Sequence, residues 1–452
     1  MGVDDKPGFD LYELFLGEDE PVSFDPTRIA GSHGRADDWA YGCYGLAGPA
    51  APVLDAGVVD VRVVAPTIAV LLGGTGEVLS FECDAIRRLL LSGYLVPHAK
   101  LQTTMTTMKA VGFHEHGPIE NYELLTVERP SVGTDEVLVD VKASALNYMD
   151  LFAVRELDHY VPSYPFWTGG DVAGVIAETG SNVSEWDGGE RVLVNPYLSC
   201  RTCPACLRGE SLACPNFEML GEMRHGGHAE YLAIPAHALI PIPDHVSFET
   251  AAAVPTAGGT AWRALATRGE LKPYEEVLIV GATGGVGSFA VQIATAVFNV
   301  ETLYATTSSE EKAEFLRDLG ADHVINYVEE SFSRRVWELT EKTGVDAVYN
   351  CVGGPTWVDS LRTLRHGGRL ITSGATAGPN PETELRLIFI RQLDCIGSSG
   401  ATPDELETLC SYVWNGAVEP VIQETFALES YEEAFGKMDD RELFGKVLFV
   451  QE

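Results

Sequence analysis

Cys200, Cys203 and Cys206 recur at every third position and Cys214 follows on the same polar stretch, so one loop offers four thiolates. Thiolates at that spacing can wrap a tetrahedral ion. Zinc held by four sulfurs has no position left for water or substrate, which makes such a site structural. An iron–sulfur cluster or four separate core cysteines would also account for the residues, although Pro204, Arg208 and Glu210 make the stretch too polar for a core. The other cysteines, Cys43, Cys83, Cys351, Cys395 and Cys410, are scattered. Clustered cysteines behind an opening Met1–Asp10 that is acidic rather than signal-like point to metal ligands in a reducing, cytoplasmic setting, not to disulfides.

A second stretch, Gly281-Ala282-Thr283-Gly284-Gly285-Val286-Gly287, follows a short apolar run and opens an amphipathic one. Glycines between a strand and a helix let the backbone approach a pyrophosphate, and the helix N-terminus adds amide donors and a positive dipole end. The turn is therefore expected to bind a dinucleotide through Gly281, Ala282, Gly284, Gly285, Val286 and Gly287. The next strand ends at Thr306-Thr307-Ser308-Ser309, with Lys312 beyond and Tyr327 after the strand that follows. An acidic residue there would suit the ribose hydroxyl of NADH, whereas Ser308, Ser309 and Lys312 suit the extra phosphate of NADPH, with Tyr327 counted among the cofactor contacts. Ser308 and Glu311 also read as a capping box, and Glu310 and Glu311 would repel a phosphate, so NADH stays open as the lesser alternative.

The elements that must carry these residues alternate. Val277–Val280, Thr302–Ala305, His323–Asn326, Asp346–Val352, Arg369–Thr372 and Asp394–Gly397 read as strands, with helices at Ser288–Phe298 and Glu310–Leu319. Short apolar strands alternating with helices predict a parallel, doubly wound α/β sheet. Upstream, Lys109-Ala110-Val111 opens a strand and Val137, Val139 and Val141 alternate in another, which marks a β-rich domain starting near Met105 or Met108. Residues 1–104 mix Gly, Ala and Pro runs with acidic patches, show no sustained period and receive no fold.

At 452 residues the chain has room for two or three domains. Its 66 acidic side chains against 31 Lys plus Arg give a net charge of −35, which argues against nucleic acid and anionic membranes as partners. Lysine is absent between Lys142 and Lys272, and an acidic surface of this kind suits a protein kept soluble in high salt. No apolar run approaches the ~20 residues of a membrane helix, and Val63–Leu72 is too short.

Taken together the motifs resemble those of the medium-chain dehydrogenase/reductases: Gly188-Gly189-Glu190-Arg191-Val192, the four-cysteine lobe, Gly226-Gly227-His228-Ala229-Glu230-Tyr231, the glycine-rich turn and the closing Phe444-Gly445-Lys446-Val447. The likeness runs from about Met108 to Gln451. It implies a GroES-like, β-rich catalytic domain over 105–250 with the zinc lobe, a Rossmann cofactor domain over 251–395, a return to the catalytic domain over 396–452, and a homodimer or homotetramer. In the zinc alcohol dehydrogenases of that family a cysteine, a histidine and a second cysteine hold a catalytic zinc, and Asn147, Gly170 and Thr256 stand at those places here. These residues cannot hold zinc in the family's manner. The segments Ala145–Asp150 and Gly169–Val175 look instead like the quinone reductase and enoyl reductase branches.

The resemblance therefore implies a hydride transferred from NADPH to a quinone, enone or related small-molecule acceptor, with alignment supplying most of the acceleration. Asn147 is expected beside the nicotinamide, and Tyr160 lies about where enoyl reductases carry a proton donor. Asp171 is the third candidate for the catalytic set, with a structural carboxylate as its plainer reading. Two alternatives remain: an alcohol or aldehyde dehydrogenase with zinc in another arrangement, for which Glu222, His225 and His228 would be the ligands, and a cofactor-binding protein without catalysis.

Overall fold

The computed structural model describes the backbone of residues 60–64, 67–71, 78–82, 106–155, 163–440 and 443–451, with side chains from residue 106 onward. The chain divides into two compact units, Met1–Met105 and Thr106–Glu452. In the first, β1 (Asp60–Val64), β2 (Thr67–Leu71) and β3 (Val78–Glu82) pair antiparallel in chain order, although the sequence of residues 1–104 shows no sustained period. Each is five residues long, too short for its alternation to stand out against the Gly- and Ala-rich surroundings.

The second unit opens with β4 (Thr107–Phe113), which pairs with β5 (Glu123–Glu128) and β7 (Phe166–Trp167). The central strand of its main sheet is β6 (Glu136–Ala145). Valine at Val137, Val139 and Val141 suits a pleated, buried surface, and all three pack with Val172, Ile176 and Ile234. The sheet order is β13 (Leu239–Pro241), β9 (Arg191–Val194), β8 (Asp171–Thr179), β6, β21 (Lys446–Val450) and β20 (Ile422–Ala427), with β12 (Tyr231–Pro235) also on β6. The short pair β10 (Tyr197–Leu198) and β11 (Glu218–Met219) brackets the cysteine lobe.

Between Pro241 and β20 the chain builds a second sheet from β14 (Glu276–Val280), β15 (Thr302–Thr307), β16 (His323–Asn326), β17 (Val345–Asn350), β18 (Leu364–Thr372) and β19 (Asp394–Gly397). All pairings are parallel in the order β16-β15-β14-β17-β18-β19, so the order reverses beside β14, the first strand. Val277 and Ile279 enter one apolar cluster and Leu278 and Val280 another, which places helices on both faces, as a doubly wound sheet requires. Ligands of such sheets bind where the order reverses, beyond the carboxyl ends of the strands, and the glycine-rich turn sits there.

Three details differ from expectation. The helix after that turn begins at Gly285 rather than Ser288, because Gly284 is its N-cap, and it passes into a π-turn at Ile293–Val297. The cap of the next helix, Glu310–Asp318, is Ser309, whose side chain accepts the Lys312 N–H, and not Ser308 with Glu311. The chain rejoins the catalytic sheet at β20, since β19 runs across the expected 395/396 boundary and the helix Pro403–Trp414 packs on Pro255–Trp262.

Candidate active site

The four cysteines meet. Their sulfur separations are 3.5 Å for Cys203–Cys206 and for Cys200–Cys214, 3.8 Å for Cys203–Cys214 and 4.0 Å for Cys200–Cys206. A tetrahedron with zinc–sulfur bonds of about 2.3 Å has edges of about 3.8 Å, so the donor set fits that ion. Backbone N–H groups of Cys206 and Asn216 point at the sulfurs of Cys203 and Cys214, and such donors stabilise the thiolates a metal needs. Among the described residues this is the one group of three or more His, Cys, Asp or Glu ligands whose donor atoms lie within 4.8 Å of one another. Glu222, His225 and His228 are not brought together as a second such group: His225 stacks on Trp167 at 3.7 Å, and His228 is buried with its Nδ1 2.9 Å from Ser144 Oγ.

The glycine-rich turn has the shape a dinucleotide requires. Gly281 has φ +84°, and a Cβ there would run into Val352. A Cβ at Gly287 would collide with Gly281 O, so this glycine lets helix and strand close on each other, whereas at Gly284 only Gly281 O comes within 4 Å, at 3.9 Å. The face of Gly284 is thus open beside the N-terminus of an eight-residue helix, Gly285–Gln292. At the end of β15, Ser308, Ser309 and Lys312 gather at the next helix start, and the N–H of the half-exposed Tyr327 bonds Thr307 O at 2.9 Å, which brings all four to one edge. No acidic side chain stands on β15 itself, whose residues run Thr302–Thr307.

Asn147 and Thr256, at two of the places where the resemblance puts the zinc ligands of the alcohol dehydrogenases, both bond to Asp171. Asp171, fully buried at the start of β8, accepts the Thr256 N–H at 2.8 Å and hydroxyl at 2.6 Å on Oδ1, and Asn147 Nδ2 at 2.9 Å on Oδ2. Lys446, from β21, donates its ammonium to Asn147 Oδ1 at 2.6 Å, Leu146 O at 2.7 Å and Asp171 Oδ2 at 3.3 Å. Three acceptors use the three N–H bonds of the lysine. Burial pulls its pKa below the ordinary value, and the Asp171 charge opposes that shift. Gly170 completes the set with space: a Cβ there would lie 3.1 Å from Leu220 O, 3.6 Å from Pro196 Cβ and 3.8 Å from Thr256 Oγ1.

A second buried carboxylate supports this network. Asn147 caps the helix Tyr148–Val154 and donates its N–H to Asp150 Oδ2 at 2.7 Å, while Gly169 N–H bonds Asp150 Oδ1 at 3.1 Å. Burial works to raise the Asp150 carboxyl, but the His228 ring 3.5 Å away and the N–H donors hold it below the usual range. Of the expected catalytic residues, Asn147 and Asp171 come together, and Tyr160 lies outside the described residues. Lys446 was legible as part of a closing motif but not as a member of the site.

Two family models match the chain: the alcohol dehydrogenase GroES-like domain over residues 133–244 and the zinc-binding dehydrogenase over 285–415. An acryloyl-coenzyme A reductase of Sulfurisphaera tokodaii is 34% identical over 74% of this chain and 97% of its own length. An NAD-dependent alcohol dehydrogenase of Sulfolobus acidocaldarius is 31% identical over 75% of this chain and 98% of its own. The crystal structure of an NAD-dependent alcohol dehydrogenase superposes with a TM-score of 0.73 at 33% identity, over 76% of this chain and 100% of that one. These relatives are enzymes, which sets aside the reading without catalysis. The chain belongs to the medium-chain dehydrogenase/reductase family, and it is an oxidoreductase.

Proposed function

We propose that this oxidoreductase reduces a carbon–carbon double bond conjugated to a carbonyl, as in an enone, an enoyl thioester or a quinone, with NADPH and without a metal at the reacting centre. The observation that carries the reading is the interlock of Asn147, Asp171, Thr256 and Lys446: amide, carboxylate, hydroxyl and ammonium satisfy one another where alcohol oxidation would need a Lewis acid. The likeness to an acryloyl-coenzyme A reductase supports the same class of acceptor. Bound NADPH would supply the hydride. The open face of Gly284 and the helix behind it would hold its pyrophosphate, and Ser308, Ser309, Lys312 and Tyr327 its ribose phosphate. The fixed Asn147–Asp171–Lys446 set then forms a rigid wall against which the acceptor is aligned, and zinc, held by the four cysteines, would close their lobe.

A second reading, a zinc alcohol dehydrogenase, is favoured by the names of several relatives. One experiment separates the two: zinc analysis of the purified protein, with NADPH and NADH consumption followed over enones, enoyl thioesters, quinones and aldehydes. About one zinc per chain and turnover of conjugated acceptors with a lower KM for NADPH is the expected result. Two zincs per chain with alcohols and aldehydes as the best substrates would give the second reading the lead.

A further inference from the structure

Glu222 stands on the turn after β11, and this turn is pressed against the site: a Cβ on Gly221 would lie 2.7 Å from Gly169 N and 3.0 Å from Gly170 N. Leu220 O and Thr256 Oγ1 both border the space left by the missing side chain of Gly170. The Glu222 carboxyl is half-buried and, among the described residues, makes no hydrogen bond or ion pair. Among the described residues, Asn147, Asp171, Thr256 and Lys446 are all engaged with one another, and the Glu222 carboxyl, on the turn packed against Gly169 and Gly170, is left with a proton to give.

The groups facing it keep it in that state. Burial, and after it the charge of Asp150 on the helix Tyr148–Val154, push Glu222 up to about 7. On β10 the buried Tyr197 feels the charges of Asp171 and Glu222, and burial is the main reason its own pKa is high. On the same turn Arg224 is turned away to Glu136 and Glu218, at 3.3 Å and 3.7 Å, while burial keeps His225 below its ordinary value. Lys446 is committed to Asp171 and Asn147.

Resting on the reading of the reaction above, we propose that Glu222 is a catalytic residue, the general acid that protonates the reduced acceptor. The conjugated alkene would accept at its β-carbon the hydride that bound NADPH would supply, and its π electron pair would move toward the carbonyl. The Glu222 O–H bond then breaks, a C–H bond forms at the α-carbon, and the carboxylate regains its proton from water. An acid must be protonated to act, so kcat is high below about pH 7 and falls as pH rises through it.

The test is the pH profile of kcat for wild type, Glu222→Gln, Glu222→Asp and Glu222→Ala on an enone or enoyl thioester, with NADPH binding measured by fluorescence as the check on folding. Expected are a loss of about 100-fold or more in Glu222→Gln, disappearance of the falling limb near neutrality, a smaller loss in Glu222→Asp, and partial recovery of Glu222→Ala by added formate or acetate. Glu222→Gln with wild-type kcat and an unchanged limb overturns the assignment while the reaction stands. A wild type that binds NADPH and reduces no conjugated acceptor overturns the reaction, and the role of Glu222 with it. If Glu222→Gln fails to bind NADPH, the recovery of Glu222→Ala by small acids decides, since no structural defect is mended that way.

Discussion

Lys446 lies where water barely reaches it, with 4% of its surface exposed and its partner Asp171 at 0%. Such a pair adds little net stability, yet removing one partner leaves the other buried and uncompensated, at a cost of about 3–5 kcal/mol. Lys446→Met and Asp171→Leu should each destabilise the fold by about that much, and the double variant should lose markedly less than the sum. Urea denaturation of the four proteins checks this, and strict additivity would mean that the pair is not coupled. The residue scale is also where the sequence was hardest to read. Asn147 and Asp171 were found through their motifs, but Lys446 lies 275 positions from Asp171, and nothing local in Phe444-Gly445-Lys446-Val447 says which carboxylate it meets. In the sequence Glu222 stands only among candidate metal ligands, with His225 and His228, because its distinguishing property is the lack of a partner among the described residues, and that is a property of the folded chain.

Elements were more legible, for reasons of length and punctuation. Runs such as Val277–Val280 are buried on both faces, so they read as continuous apolar stretches closed by glycine. The strand positions of this sheet agree with expectation to within two residues except β18, which begins at Leu364 rather than Arg369 because its first half, Arg365-His366-Gly367-Gly368, is polar and glycine-rich. What escaped was the one-residue choice of Ser309 over Ser308 as a cap, where neighbouring hydroxyls are equivalent in sequence and only the backbone turn distinguishes them. The cysteine lobe contains only a four-residue helix, Pro204–Leu207, and a single 3-10 turn between β10 and β11, too little apolar surface to order itself. Zinc binding to four thiolates supplies on the order of 10 kcal/mol or more, comparable to the stability of a whole domain. Cys203→Ser should therefore lower zinc content and melting temperature together, while the activity per folded molecule stays near that of wild type. Metal analysis beside calorimetry measures both, and an unchanged melting temperature after zinc loss would show that the lobe is held by something else.

At the scale of the whole molecule, the division at Met105 and Thr106 leaves the second unit with its own sheets and apolar clusters. Every residue placed in the site, from Asn147 to Lys446, belongs to it. A chain beginning at Met105 should remain soluble and bind NADPH with the affinity of the full sequence, as titration by fluorescence would show. Failure to fold would mean that residues 1–104 complete the core. One consequence of the sheet order concerns synthesis rather than chemistry. Strand β21 lies between β6 and β20, and Lys446 reaches back to Leu146 across 300 positions. On the ribosome β6 is made long before β21 exists, and although β12 can pair with its Glu136–Asp140 half, its Ala143–Ala145 end must wait unpaired on that edge while the whole second sheet emerges and folds. The parallel sheet, made of local strand–helix units, can form during that interval, but the catalytic sheet closes only when residues 446–450 clear the exit tunnel. Lys446 therefore joins Asn147 and Asp171 late, and a chaperone that shields the Ala143–Ala145 end of β6 would raise the yield of native protein more than one acting on the cofactor domain.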